Sequence, residues 1–187
     1  MQRLLVALLL VACMALPGCA SVATEAVELA PDEEIDDGMV CNGWEALCSR
    51  TYDNVTFPET HNAFATHEDG IFYPASNHRT GLDAQWDAGM RAFMLDTHYA
   101  DPSNPNSDGV RFCHGNSGGA INPCSYGNVD AREWLIALQS HMVSAPTDVV
   151  TLLIENYVEP IHLHEVLNDS GLMEHVFVHG LNEPWPT

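Results

Sequence analysis

The chain has 187 residues, a formal charge of −20 and no lysine; its six basic residues, all arginines, face 26 acidic ones. That balance excludes nucleic-acid binding by counterion displacement and electrostatic steering toward an anionic membrane. An anionic substrate must therefore be met by local hydrogen-bond donors, protonated histidine or a bound cation. With 46% hydrophobic residues the chain can build one domain with a core and is not disordered as a whole.

Residues 1–18 read as a secretory signal. Arg3 is the positive start, and Leu4 to Met14 form an apolar stretch too short to remain as a membrane span. Leu16-Pro17-Gly18-Cys19 resembles a bacterial lipoprotein signal, cut before Cys19 so that its thiol carries the lipid. The alternative is an ordinary signal cut at a nearby small residue. Residues 19–38 then hold the lipidated Cys19 and an acidic tether with Glu25, Glu28, Asp32, Glu33, Glu34, Asp36 and Asp37, too charged to bury. The expected location is the cell envelope, at the outer membrane or cell surface, or the exterior if no lipid is attached.

From Met39 the pattern becomes globular, without internal repeats. Asn54–Phe57 is β-rich and leads to a loop with His61 and Asn62. A second loop, rich in Gly, Pro, Asn and His, runs to Thr80. Leu82, Trp86 and Met90 have helical spacing, with Gly89 as the stop. Arg91–Leu95 reads as a strand ending at Asp96, Asp101–Gly109 as a turn-rich loop, and Val110–Cys113 as a strand ending at His114. Asp130 can cap a helix whose apolar face holds Trp134, Leu135, Leu138 and Met142. Val149–Ile154 is a continuous apolar run, expected as a parallel strand buried on both faces and ending at Glu155. A helix over Ile161–Leu167 precedes Gly171, and Val176–Val178 starts a further strand.

Of six cysteines, Cys13 lies in the signal and Cys19 at its cut. The others form two local pairs, Cys41 with Cys48 and Cys113 with Cys124. In an oxidising compartment two short-loop disulfides are the default reading, whereas zinc wants closer Cys or His spacing.

Strands alternating with helices predict an α/β fold with a parallel sheet. A complete TIM barrel needs eight strands and roughly 250 residues. Five strands are legible here, and Pro184-Trp185-Pro186-Thr187 reads as loop. Residues 39–187 are thus expected to hold the first half to two-thirds of a TIM-barrel-like domain, with a small open α/β sheet as the alternative. On the barrel reading His61, Asp96, His114 and Glu155 each stand just past a strand end and converge on one rim. Two histidines there can act as base and acid, which phosphodiester cleavage requires. Asn62, Asp96 and Glu155 are hard oxygen donors suited to calcium. Taken singly, each has a plainer explanation: a loop histidine on the surface, an aspartate capping a loop, a glutamate paired with arginine. Only their joint placement suggests a site.

Thr60-His61-Asn62, Gly89-Met90-Arg91-Ala92-Phe93-Met94-Leu95-Asp96, His114-Gly115 and Val149-Val150-Thr151-Leu152-Leu153-Ile154-Glu155 together resemble the phosphatidylinositol-specific phospholipase C X-domain family. Cys41-Asn42-Gly43, Leu47-Cys48-Ser49-Arg50 and Val55-Thr56-Phe57 look like the opening of its secreted subgroup. The resemblance implies a phosphodiesterase in which His61 is the general base on the inositol 2-hydroxyl and His114 the general acid on the leaving diacylglycerol. Asp96, Asn62 and Glu155 would hold calcium. Two positions depart from the family. Met94 stands where calcium-dependent members carry an acidic ligand, and His98 where metal-independent bacterial members carry arginine. His98 is either a cationic donor or a loop hydrogen-bonding residue.

Two other functions stay open: a catalytically weak barrel serving as an envelope binding lipoprotein, and a sphingomyelinase- or glycerophosphodiesterase-like activity. The expected partners are a phospholipid or small phosphodiester and a membrane reached through the lipid anchor, with no nucleic acid. His162 and His164 read as surface residues, His175 and His179 as structural neighbours of a strand, Trp86 and Trp134 as core, and Arg91 as half of an ion pair. No Gly-rich phosphate loop, serine-hydrolase elbow or zinc motif occurs.

Overall fold

The computed structural model describes residues 38–72, 75–114 and 123–187. The signal segment, Cys13, Cys19 and the acidic stretch up to Asp37 lie outside the described residues, as does Gly115 of the second histidine motif. Among the described residues the fold is mixed α/β, with three α-helices and a five-stranded sheet. The strands are β1 (Glu59–Thr60), β2 (Ala92–Tyr99), β3 (Val110–Phe112), β4 (Val129–Asp130) and β5 (Thr151–Asn156). The helices are α1 (Leu82–Asp87), α2 (Ala131–Ser144) and α3 (Pro160–Asp169). Among the described residues no helix is long and apolar enough to cross a membrane.

The expectation of a parallel sheet holds for only part of it. β1 and β5 run parallel to β2, while β3 is antiparallel to β2 and β4 to β3. The reason is loop length. A parallel return needs a crossover of a dozen residues or more, usually a helix, and the turn-rich segment between β2 and β3 has none. It can only fold back as a hairpin. Ala92 and Phe93 pair with both β1 and β5, and Thr97 with both β5 and β3. β5 therefore takes one edge of β2 from Ala92 to Thr97, and β1 and β3 share the other edge at its two ends.

Several boundaries move for identifiable reasons. Asn54–Phe57 is not a strand; Tyr52–Asn54 forms a turn of 3-10 helix, and pairing starts at Glu59, just after Pro58, which has no N–H to give. β2 runs past Asp96 to Tyr99 because the hairpin partner β3 extends it. β5 is not buried on both faces: Leu152 packs on the core while Leu153, pointing the other way, is 51% exposed. Val176–Val178 is exposed and is not a strand.

The core lies between the sheet and the helices. Phe93 and Leu95 of β2 are fully buried, and the Trp134 ring stands nearly perpendicular to those of Phe93 and Phe112 at centroid distances of 5.9 and 5.7 Å. Leu135, Leu138 and Val166 complete this layer. Asp130 caps α2 as its sequence implies, accepting from the Arg132 and Glu133 N–H groups at 3.0 and 3.1 Å. Trp86 is core, and its face carries the Arg91 guanidinium at 3.6 Å. Arg91 Nε also donates to Asp148 Oδ2 at 2.7 Å.

Both expected disulfides are present, with Cα separations of 5.2 Å for Cys41–Cys48 and 5.0 Å for Cys113–Cys124. The first holds a loop whose Asn42 side chain pairs with the Val149 backbone in both directions, at 2.9 and 2.7 Å. That side chain acts like one more strand residue ahead of β5. Because Phe112 joins β3 to Phe64 and Trp134, Phe112→Ala is expected to lower the unfolding free energy by about 3–5 kcal/mol, read from urea unfolding.

Candidate active site

Alternation along β2 divides its residues between two faces. Phe93, Leu95 and Thr97 turn into the core, and Met94, Asp96 and His98 turn the other way. On that second face lies a cleft of about 390 Å³ lined by His61, Asn62, Met94, Asp96, His114, Glu155 and Tyr157. Both histidines and all three oxygen-bearing residues singled out in the sequence thus meet in one place. They do not all stand past strand ends, however. His61 directly follows β1 and His114 follows β3, but Asp96 is inside β2 and Glu155 inside β5.

The backbone of β2 fixes each of these positions. The Met94 carbonyl accepts from Ala63 N–H at 3.0 Å, which holds the turn after His61. The Asp96 carbonyl accepts from Cys113 N–H at 3.2 Å, which holds the residue before His114. Asp96 lies opposite Glu155 in the parallel register. Asn62 adopts φ +50°, a left-handed conformation that asparagine tolerates better than most residues, and its side chain is 1% exposed.

The imidazoles are held from behind by the segment Ala75–His78. The Ala75 carbonyl accepts from His114 Nδ1 at 3.0 Å, the Asn77 amide lies 3.3 Å from His61 Nδ1, and His78 Nε2 donates to the His61 carbonyl at 2.7 Å. Asp96 is 4% exposed. Its burial, and then the neighbouring Glu155 carboxylate, push its pKa up to about 6 against the pull of the His114 and His61 imidazoles. Tyr157 donates to Glu155 Oε2 at 3.0 Å, and that bond and charge raise the phenol above its usual value.

A family model for the PI-PLC X domain, described as PI-PLC X 1, matches residues 47–187. The chain belongs to the PI-PLC X-domain family. It is also 27% identical over 169 residues to an uncharacterized secreted protein of Arthroderma benhamiae, a match covering 87% of this chain and 35% of that protein. The chain thus spans about a third of the length of the curated relative it matches. No solved structure matches it.

Does this X domain offer a cation the right donors? Asn62 Oδ1 and Asp96 Oδ1 are buried without a hydrogen-bond partner, and Glu155 lines the same cleft. Amide and carboxylate oxygens of this kind fit calcium in type. Met94, at the position of the family's further acidic ligand, offers only a thioether. With two carboxylates in the cleft, no group of three His, Cys, Asp or Glu suited to a metal occurs among the described residues.

Other residues fall elsewhere than expected. His98 is in β2 rather than a loop, is buried, and does not line the cleft; its ring lies parallel to that of Tyr157 at 4.6 Å. His162 is not a free surface residue, since its Nδ1 shares a 2.7 Å hydrogen bond with the Tyr99 hydroxyl. His164 is exposed. His175 ends a 3-10 turn, and His179 stacks on Trp185 at 3.8 Å; no strand lies between them. Tyr157, Ala75, Asn77 and His78 were not anticipated. Tyr157 had a signal, standing two residues beyond Glu155 where strand alternation repeats the same face. The other three belong to an irregular loop with no periodicity to read.

The raised Asp96 pKa has a definite sign for stability. Below the unfolded value of 3.8 the carboxyl is neutral in both states and costs nothing. As pH rises toward 6 the unfolded chain ionises first, so stability falls and stays lower above that window. In chelator-treated protein, Asp96→Asn is expected to be more stable than the parent by on the order of 1–2 kcal/mol at about pH 8, and equal to it at about pH 3. Urea unfolding at the two pH values measures this.

Proposed function

We propose that the chain is an exported phosphodiesterase that cleaves a phospholipid headgroup such as phosphatidylinositol by paired imidazole catalysis. The observation that carries this reading is the meeting of His61 and His114 in one cleft beside Asp96. His61 removes the proton of the inositol 2-hydroxyl, and that oxygen attacks phosphorus in line. His114 delivers a proton to the diacylglycerol oxygen as its bond to phosphorus breaks. The products are diacylglycerol and a cyclic inositol phosphate, which water can open with the two histidines in exchanged roles. Asn62, Asp96 and Glu155 would hold calcium, which when bound neutralises charge on the phosphoryl oxygens. Both imidazoles act electrostatically on Asp96, pulling its pKa down against the larger effect of burial.

Export is supported by the two disulfides and by the secreted relative. A lipid on Cys19 would keep the enzyme at a membrane, with the acidic tether as spacer. The parallel run of β1, β2 and β5, with helices in the intervening connections, supports a TIM-like barrel in which β3 and β4 form an antiparallel arm.

A second reading, a binding lipoprotein on the same scaffold, is favoured by Met94 in the cleft and by His98 outside it. A sphingomyelinase- or glycerophosphodiesterase-like enzyme differs only in the headgroup it releases. The test is diacylglycerol and headgroup release from vesicles of phosphatidylinositol, sphingomyelin and other phospholipids by the full chain, with calcium or with chelator. Phosphatidylinositol is expected to be cleaved, more slowly in chelator. His61→Ala and His114→Ala should each reduce the rate by roughly 10²–10⁴-fold. A full rate in either variant would falsify the acid–base assignment, and binding without product from every lipid would select the second reading.

A further inference from the structure

Catalysis by two histidines needs more than their presence in one cleft. A neutral imidazole carries its proton on one nitrogen and its lone pair on the other, and only the lone pair can accept a proton. Which nitrogen is which depends on the partner of the other one. Here both rings find that partner in the same short segment.

Ala75–His78 is laid along the buried run that follows His61. Asn77 N–H and His78 N–H both donate to the Ala65 carbonyl, at 2.7 and 3.1 Å, and the His78 carbonyl accepts from His67 N–H at 3.0 Å. Thr66 and His78 form an isolated parallel bridge. Ala63, Phe64, Ala65 and Thr66 are fully buried, so the platform beneath the segment is rigid. From this platform the segment reaches both histidines.

The His114 contact has one chemical solution. A backbone carbonyl only accepts, so His114 Nδ1 carries a proton and Nε2 is left for chemistry in the cleft. The His61 contact has two. With the Asn77 NH₂ at 3.3 Å from Nδ1, the ring proton would sit on Nε2 and leave no lone pair there. A half-turn of the amide puts Oδ1 in the same place, where it accepts from Nδ1–H and frees the Nε2 lone pair. The second arrangement is the one a general base requires. His78, through its bond to the His61 carbonyl, keeps the ring and amide in register.

We propose that Ala75–His78 sets the tautomer of both cleft histidines, holding each with its proton on Nδ1, and that Asn77 is the positioning residue for His61 through its side-chain oxygen. This rests on the phosphodiesterase reading for its purpose, but not for its measurement.

The experiment is long-range proton–nitrogen NMR on the full chain, labelled with ¹⁵N-histidine, at about pH 8 where an ordinary imidazole is neutral. His61 and His114 should both show a protonated Nδ1 and an unprotonated Nε2. In Asn77→Ala, His61 should shift to the Nε2-protonated form while His114 is unchanged, and Asn77→Asp should retain the parent pattern. Phosphatidylinositol turnover should fall in Asn77→Ala by roughly 10²-fold in kcat with little change in KM, and recover in Asn77→Asp. A parent His61 protonated on Nε2, or a His61 spectrum indifferent to Asn77→Ala, overturns the proposal. The two readings fail separately. Nδ1-protonated rings in a chain that cleaves no diester sink the enzymatic reading alone, and diester cleavage with an Nε2-protonated His61 sinks this one alone.

Discussion

Two backbone carbonyls of β2, those of Met94 and Asp96, determine where the cleft residues stand. One holds the turn that follows His61 and the other the residue that precedes His114, while the opposite edge of β2 sets Glu155 across from Asp96. His61, His114 and Glu155 reach one face because these hydrogen bonds leave β1, β3 and β5 no freedom to slide. A slip of one residue in any pairing would turn the functional side chain into the core. The aromatic layer of Phe93, Phe112 and Trp134 on the other face resists such a slip, since it depends on the same registers.

The cleft is an unfavourable place for the groups it holds. Asp96 is buried beside another carboxylate, Asn62 adopts a left-handed backbone, and buried side-chain oxygens of Asn62 and Asp96 lack partners. An unsatisfied buried polar group costs about 1–3 kcal/mol. Such a concentration of cost suits a site whose oxygens are meant for a ligand rather than for the fold. With a formal charge of −20 the chain has no general field that would gather anions.

Much of this was legible because the signals were local. Asp130 ahead of an apolar helical stripe, two short cysteine pairs, and the histidine and carboxylate motifs need only neighbouring residues to be recognised. The errors came where partners decide. The short loop after β2 contains no α-helix, only a 3-10 turn at Ser107–Gly109, which is too little for a parallel return, whereas the sequence reading expects β3 in a parallel sheet. Val149–Ile154 resembles a doubly buried strand, but one face of β5 carries the open cleft. His98, read as a cationic donor or a loop residue, and His162, read as a surface residue, meet Tyr157 and Tyr99 only across the fold.

The amino-acid sequence alone determined the family motifs, the disulfide pairs, the helix cap and the residues that could do acid–base work, because those depend on chemistry and spacing along the chain. Tertiary structure alone decided the mixed sheet, the burial that raises the Asp96 pKa, and the grip of Ala75–His78 on both imidazoles. These depend on hydrogen bonds and desolvation between segments far apart in the chain, and no local pattern encodes which carbonyl will stand behind which ring.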